Sequence, residues 1–93
     1  MDVKKLINEL SNSEEIKRRE ACNMLGDLGA TEAARPLVGA FRDESWLVRE
    51  AAVAALIKIG GEKGIALLLS VLTDEDARVR NSAIEILTGL GDK

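Results

Sequence analysis

The chain is predicted to be all-α, a solenoid of six helices in three stacked pairs, and three observations predict it. Glycine recurs at Gly29, Gly60 and Gly91, a spacing of 31 residues. The same offset aligns Leu25, Leu56 and Leu87, then Ala21, Ala52 and Ala83, then Leu28, Ile59 and Leu90. It also aligns Leu6, Leu37 and Leu68, Ile7, Val38 and Leu69, and Leu10, Phe41 and Leu72. Within each unit the apolar residues keep helical spacing, as in Val3, Leu6, Ile7 and Leu10 or Ala21, Met24, Leu25 and Leu28. A unit of this length with one apolar face buries it by stacking on its neighbours, which is why a fixed period signals a solenoid.

The punctuation places the elements. Ser11-Asn12-Ser13, Arg42-Asp43-Glu44-Ser45 and Thr73-Asp74-Glu75-Asp76 separate the apolar stretches. Such side chains accept hydrogen bonds from the free N–H groups of a first helical turn. The period-marking glycines sit where a left-handed residue closes a helix. The predicted helices run roughly over 2–10, 14–28, 32–42, 45–59, 63–72 and 76–90. Pro36 cannot lie deep in a helix. Residues 31–35 are therefore expected to form a loose or 3₁₀ lead-in, with Pro36 in the first true turn. Gly26, Gly39 and Gly64 fall inside helices and are expected to mark close helix packing.

Asp43 to Gly60, which reads Asp-Glu-Ser-Trp-Leu-Val-Arg-Glu-Ala-Ala-Val-Ala-Ala-Leu-Ile-Lys-Ile-Gly, resembles the second half of a HEAT repeat of the short phycobilisome-lyase type. Asp74 to Gly91, with Val79-Arg80, follows the same pattern, and Asn12 to Gly29 follows it more loosely. The resemblance covers the whole chain as one domain of three repeats, 1–29, 30–60 and 61–93. It implies a right-handed α-α superhelix. It says little of function, since such repeats serve as scaffolds, adaptors and occasional enzyme subunits.

Arg18, Arg49 and Arg80 form one column, and Asn12, Asp43 and Asp74 another, six residues earlier. Ion pairs between them could be a recognition stripe. The resemblance implies instead a polar ladder tying adjacent repeats, a role that suits arginine's fork. Asn12 departs from the acidic column, so the link to Arg18 is expected to be weaker. Lys17 replaces the valine of Val48 and Val79, as befits a terminal repeat with one uncovered side.

Composition excludes several functions. With 13 basic and 16 acidic residues the net charge is −3. There is no excess of positive charge to displace counterions from a phosphate backbone, and only Phe41 and Trp46 could stack on bases, so nucleic-acid binding is disfavoured. The basic run Lys17-Arg18-Arg19 leaves Arg19 alone as a surface cation once the columns are assigned. The chain has no histidine, which removes the commonest general base and metal ligand. Cys22 is the single cysteine and shares a column with Val53 and Ile84, as a small core residue would. Gly60-Gly61 and Gly64 lack the Lys-Ser or Lys-Thr of a phosphate loop. No enzyme activity, cofactor or metal is expected. One cysteine, no signal-peptide pattern and no apolar run of membrane-spanning length together suggest a cytoplasmic protein, with no membrane as partner.

What remains is a binding surface. In the resembled fold the second helices line the concave side. Their positions outside the core columns are Arg19, Glu20, Asn23 and Asp27, then Glu50, Ala51, Ala54 and Lys58, then Asn81, Ser82, Glu85 and Gly89. They differ from repeat to repeat, which marks a specialised surface and equally an ordinary solvated one. The set leans acidic, favouring a partner of basic or mixed character. Trp46 shares its column with Glu15 and Ala77 and has two readings, a binding hot spot or a cover over its own turn against the neighbouring repeat. The latter is the expectation here. The run from Ile65 to Leu72 is apolar nearly all round, so the C-terminal edge is expected either to associate with another copy or partner or to continue into a longer solenoid. The expected function is a non-enzymatic protein-interaction module. An accessory subunit in the manner of the bilin lyases is the alternative, and nucleic-acid recognition comes third.

Overall fold

The computed structural model describes residues 2–91, apart from the side chains at 63 and 89–91. Six α-helices follow one another: α1 (Val3–Glu9), α2 (Glu15–Leu28), α3 (Ala34–Gly39), α4 (Trp46–Ile59), α5 (Gly61–Ser70) and α6 (Ala77–Gly91). Short 3₁₀ turns, Thr31–Ala33 and Ala40–Arg42, flank α3. Pro36 thus occupies the third position of α3, inside its first turn, where its missing N–H leaves no bond unmade. Helices α2, α4 and α6 lie side by side in one layer, while α1, α3 and α5 pack behind them.

The helix ends follow local chemistry. Asp2 caps α1 by accepting from the Lys4 N–H at 3.0 Å, and Ser45 caps α4 by accepting from the Val48 N–H at 3.3 Å. Gly29 is left-handed (φ 62°), and the Ala30 N–H reaches back to the Leu25 carbonyl at 3.2 Å while the Gly29 N–H takes Gly26 at 3.0 Å. That pair of bonds closes α2 in the manner of a Schellman motif. Gly60 closes α4 differently. At φ 59° and ψ −153° it occupies a region open essentially to glycine alone, and this sharp turn lets α5 begin at Gly61, two residues before its expected start. Helix α6 takes in Gly91, one residue past its expected end.

The core is built from the repeat columns. Leu25, Leu37 and Phe41 are fully enclosed, and Leu6, Leu56, Leu68, Ala21, Ala52 and Ala83 are buried. Each large side chain so enclosed contributes about 1.5–3 kcal/mol. Departures from the columns fall mostly in the outer repeats. Leu28 is half exposed rather than core, while its column mate Ile59 packs against the core and Leu90 lies outside the described side chains. Lys17 is exposed where Val48 and Val79 are buried, on the side of the first repeat that no repeat covers.

The interior glycines divide. A Cβ at Gly26 would lie 2.8 Å from the Ala55 Cα and 2.9 Å from its Cβ, so α2 and α4 approach closely there. Gly39 and Gly64 have nothing within 4 Å of such a Cβ. The expectation of close packing is therefore corrected at both: Gly39 is exposed, and the buried Gly64 faces a small hollow of about 60 Å³ shared with α4 and α6.

Candidate functional site: the groove between α4 and α6

Each turn ahead of a second helix is held by the same two bonds. The Glu14, Ser45 and Asp76 N–H groups donate to Oδ1 of Asn12, Asp43 and Asp74 at 2.8, 2.8 and 2.9 Å. These are turns closed by a side chain two residues back, which asparagine makes as well as aspartate. In turn, Nη1 of Arg18, Arg49 and Arg80 donates to the backbone carbonyls of Asn12, Asp43 and Asp74 at 2.9, 2.6 and 2.6 Å. The six-residue spacing thus reads a carbonyl, not a carboxylate. The expected weakening of the Arg18 link by Asn12 is corrected on that ground, because the contact needs no acid.

The carboxylates link neighbouring repeats, though unevenly. Asp43 accepts from Arg18 Nε at 2.8 Å and Nη2 at 3.2 Å, a two-pronged pair with side chains only 12% and 10% exposed. The bond to Asp43 raises the Arg18 pKa further above its ordinary value. One repeat on, Asp74 is met by Arg42 Nη2 at 2.6 Å from an exposed side chain, while Arg49 stays on its own carbonyl.

That difference opens a groove. Helices α2 and α4 lie together along much of their length, whereas α4 and α6 touch over less. A hollow of about 250 Å³ lies between the latter two, lined by Trp46, Arg49 and Glu50 from α4 and Arg78, Asn81, Ser82 and Glu85 from α6. Four of the predicted face residues, Glu50, Asn81, Ser82 and Glu85, therefore meet at one place. Partial desolvation in the groove, and behind it the charge and hydrogen bond of Glu50, raise the Glu85 carboxyl above its ordinary value. Arg78 grips Asp76 through Nη2 at 2.8 Å and Nε at 3.1 Å, which keeps the Asp76 carboxyl down at about 2.

The remaining predicted residues behave variously. Arg19, Glu20, Asn23 and Ala54 are exposed. Asp27 and Lys58, one repeat apart in the same column, pair with each other at 2.6 Å across α2 and α4, both well exposed. Ala51 is buried, which corrects its placement on the open face, and Ser82 is 7% exposed. Gly89 lies outside the described side chains. Trp46 is 62% exposed and lines the groove, so the expectation that it packs as cover over its turn is corrected. Its non-core column was the sequence signal for this. Arg78 was missed because it shares its column with Ile16 and Leu47, which suggest nothing polar.

Elsewhere, a larger open hollow of about 520 Å³ runs between α1 and α3, but its charged residues, Arg42 and Asp43, are already engaged with Asp74 and Arg18. Cys22 is fully buried, and burial pushes its thiol up to about 12, so it is no nucleophile. Among the described residues no cluster of three or more potential ligands could hold a metal, and no helix is long and apolar enough to cross a membrane.

Two layers of helices, repeated with the same turn bonds, define an all-α repeat solenoid. The profile of HEAT repeats matches residues 3–88, and the chain belongs to the HEAT-repeat family. Comparison with curated proteins gives no match.

Proposed function

We propose that this chain is a non-enzymatic protein-interaction module that binds its partner on the concave face formed by α2, α4 and α6. HEAT repeats generally mediate protein–protein interaction. The observation that carries the assignment of the face is the α4/α6 groove, where an exposed tryptophan and four predicted face residues converge. Tryptophan is the residue most enriched at binding hot spots, and a polar rim around it is the usual anatomy of an interface. The 31-residue period and the Val-Arg-Glu-Ala-Ala pattern at 48–52 support the short, phycobilisome-lyase-like subtype and the three-repeat division at 29 and 60.

Affinity capture tests the reading, using the intact chain beside a Glu50→Arg, Glu85→Arg variant that reverses the charge of the groove. A protein held by the intact chain and lost by the variant supports it. Equal capture by both removes the groove from the interface.

A second reading rests on the C-terminal edge. Ile65, Leu69 and Ile84 are 41%, 56% and 49% exposed, whereas their column mates Ala34, Val38 and Val53 are 3%, 9% and 4% exposed beneath the following repeat. This face is built as a stacking surface, and self-association would cover it. Sedimentation of the intact chain and of Leu69→Glu checks this. The reading predicts a concentration-dependent dimer that the variant abolishes, and a monomer at every concentration contradicts it.

A further inference from the structure

The α4/α6 groove contains two acids, two arginines hydrogen-bonded to other groups and a hydroxyl open to the groove. Glu50 and Glu85 meet across it. Arg49 donates to the Asp43 carbonyl at 2.6 Å and Arg78 to Asp76 at 2.8 Å, and among the described residues neither forms an ion pair with Glu50 or Glu85. Ser82 lines the groove, is more than nine-tenths buried, and makes no side-chain hydrogen bond among the described residues. Every fully enclosed polar side-chain atom described does have a partner. The Ser82 hydroxyl is therefore left to be satisfied from the groove itself. Trp46 adds a large exposed aromatic surface to the same lining.

We propose that this groove receives an arginine side chain from the partner protein, its guanidinium held by Glu50 and Glu85, met by the Ser82 hydroxyl, and packed against Trp46. The proposal rests on the protein-binding reading above and names the side chain that the face recognises. Arginine is preferred over lysine on three grounds. Its planar fork offers five donors and can serve two carboxylates and a hydroxyl at once, whereas an ammonium is a point charge with three. A guanidinium sheds water more readily on entering a half-enclosed site, and it stacks on an aromatic face. It also removes the like-charge repulsion that the free protein carries between Glu50 and Glu85.

Trp46 is the only tryptophan in the chain, so its emission reports on the groove alone. The experiment titrates the intact chain with the blocked peptide Gly-Ala-Arg-Ala-Gly, and with the same peptide carrying lysine or citrulline at the centre. A saturable change in Trp46 emission is expected with arginine. Binding should be at least about tenfold weaker with citrulline, which keeps the shape and loses the charge. Glu50→Gln with Glu85→Gln should weaken arginine binding by a similar factor while leaving the thermal midpoint no lower, since it removes a repulsion. Ser82→Ala should weaken it a few-fold. Four charged groups line the groove, Arg49 and Glu50 from α4 and Arg78 and Glu85 from α6. Of these, Glu85 gives the expected pH response, a loss of affinity as the pH falls through its raised pKa.

Equal binding of arginine and citrulline peptides, or full binding by the double glutamine variant, overturns the proposal. So does the absence of any emission change up to millimolar peptide. If that happens while the charge-reversed variant still loses its captured protein, the arginine assignment falls and the protein-binding face stands. If the captured protein is also indifferent to the charge reversal, both fall.

Discussion

The two junctions between second helices are built on the same columns and come out differently. At the α2/α4 junction, Gly26 lets the backbones close to within 2.8 Å of a would-be Cβ contact, Arg18 and Asp43 form a two-pronged pair, and Asp27 and Lys58 pair at the rim. At the α4/α6 junction the residue in the Gly26 column is Ile57, which is 44% exposed, and Arg49 does not cross to Asp74. The charges that face each other there, Glu50 and Glu85, have the same sign. One junction is a scaffold joint and the other is a groove. The repeat thus supplies a common frame, and a few substitutions within it decide whether two neighbouring helices seal or stay apart.

The largest effect that would break this contrast is expected from Gly26→Leu. The clash is with the backbone of Ala55, which cannot swing aside, so stability to urea should fall by about 3 kcal/mol or more. Next comes Arg18→Ala, which strands the mostly buried Asp43 carboxylate and should lower stability by about 3 kcal/mol. Arg49→Ala forfeits one bond to a carbonyl and should lower it by only about 1 kcal/mol. Equal losses at the two arginines would contradict the contrast between the junctions.

A smaller effect of opposite sign is expected at Gly64, inside α5 beside a small hollow that leaves room for a methyl group. Gly64→Ala should raise stability by about 0.5–1 kcal/mol, read as an upward shift in thermal midpoint. The smallest is Glu85→Gln. Because the folded-state pKa of Glu85 is raised, the native state holds that proton more tightly than the unfolded chain does. Stability therefore grows as the pH falls from above the raised pKa toward the ordinary carboxyl value, and the penalty is present in full above it. The variant should be slightly more stable than the intact chain near neutral pH, and the difference should disappear on acidification.

The helices, their pairing and the buried columns were legible because the 31-residue period repeats the same local rules three times. Pro36 in particular dictated the lead-in to α3 from its geometry alone. What could not be read was spacing between helices. Gly26 and Gly64 look alike in sequence, yet one meets Ala55 and the other meets nothing, because only the packing of neighbours distinguishes them. The acid column suggested that each arginine pairs with the acid six residues before it. Folding instead places the carbonyl of that acid within reach of its own arginine, while the Asp43 carboxylate reaches Arg18 of the preceding repeat, a tie between repeats of the kind the resemblance implied. Glu50, Asn81 and Glu85 were expected outside the core columns, but their convergence with Trp46 depends on how far α6 stands from α4.

The most direct test of the account is site-specific photo-crosslinking, with the reactive group placed in turn at Asn81 in the groove, at Asn8 on the opposite layer and at Leu69 on the C-terminal edge. The account predicts that the captured partner is joined to the chain from Asn81 and not from Asn8. Adducts formed only from Asn8 or Leu69 would contradict the assignment of the α4/α6 groove as the binding face.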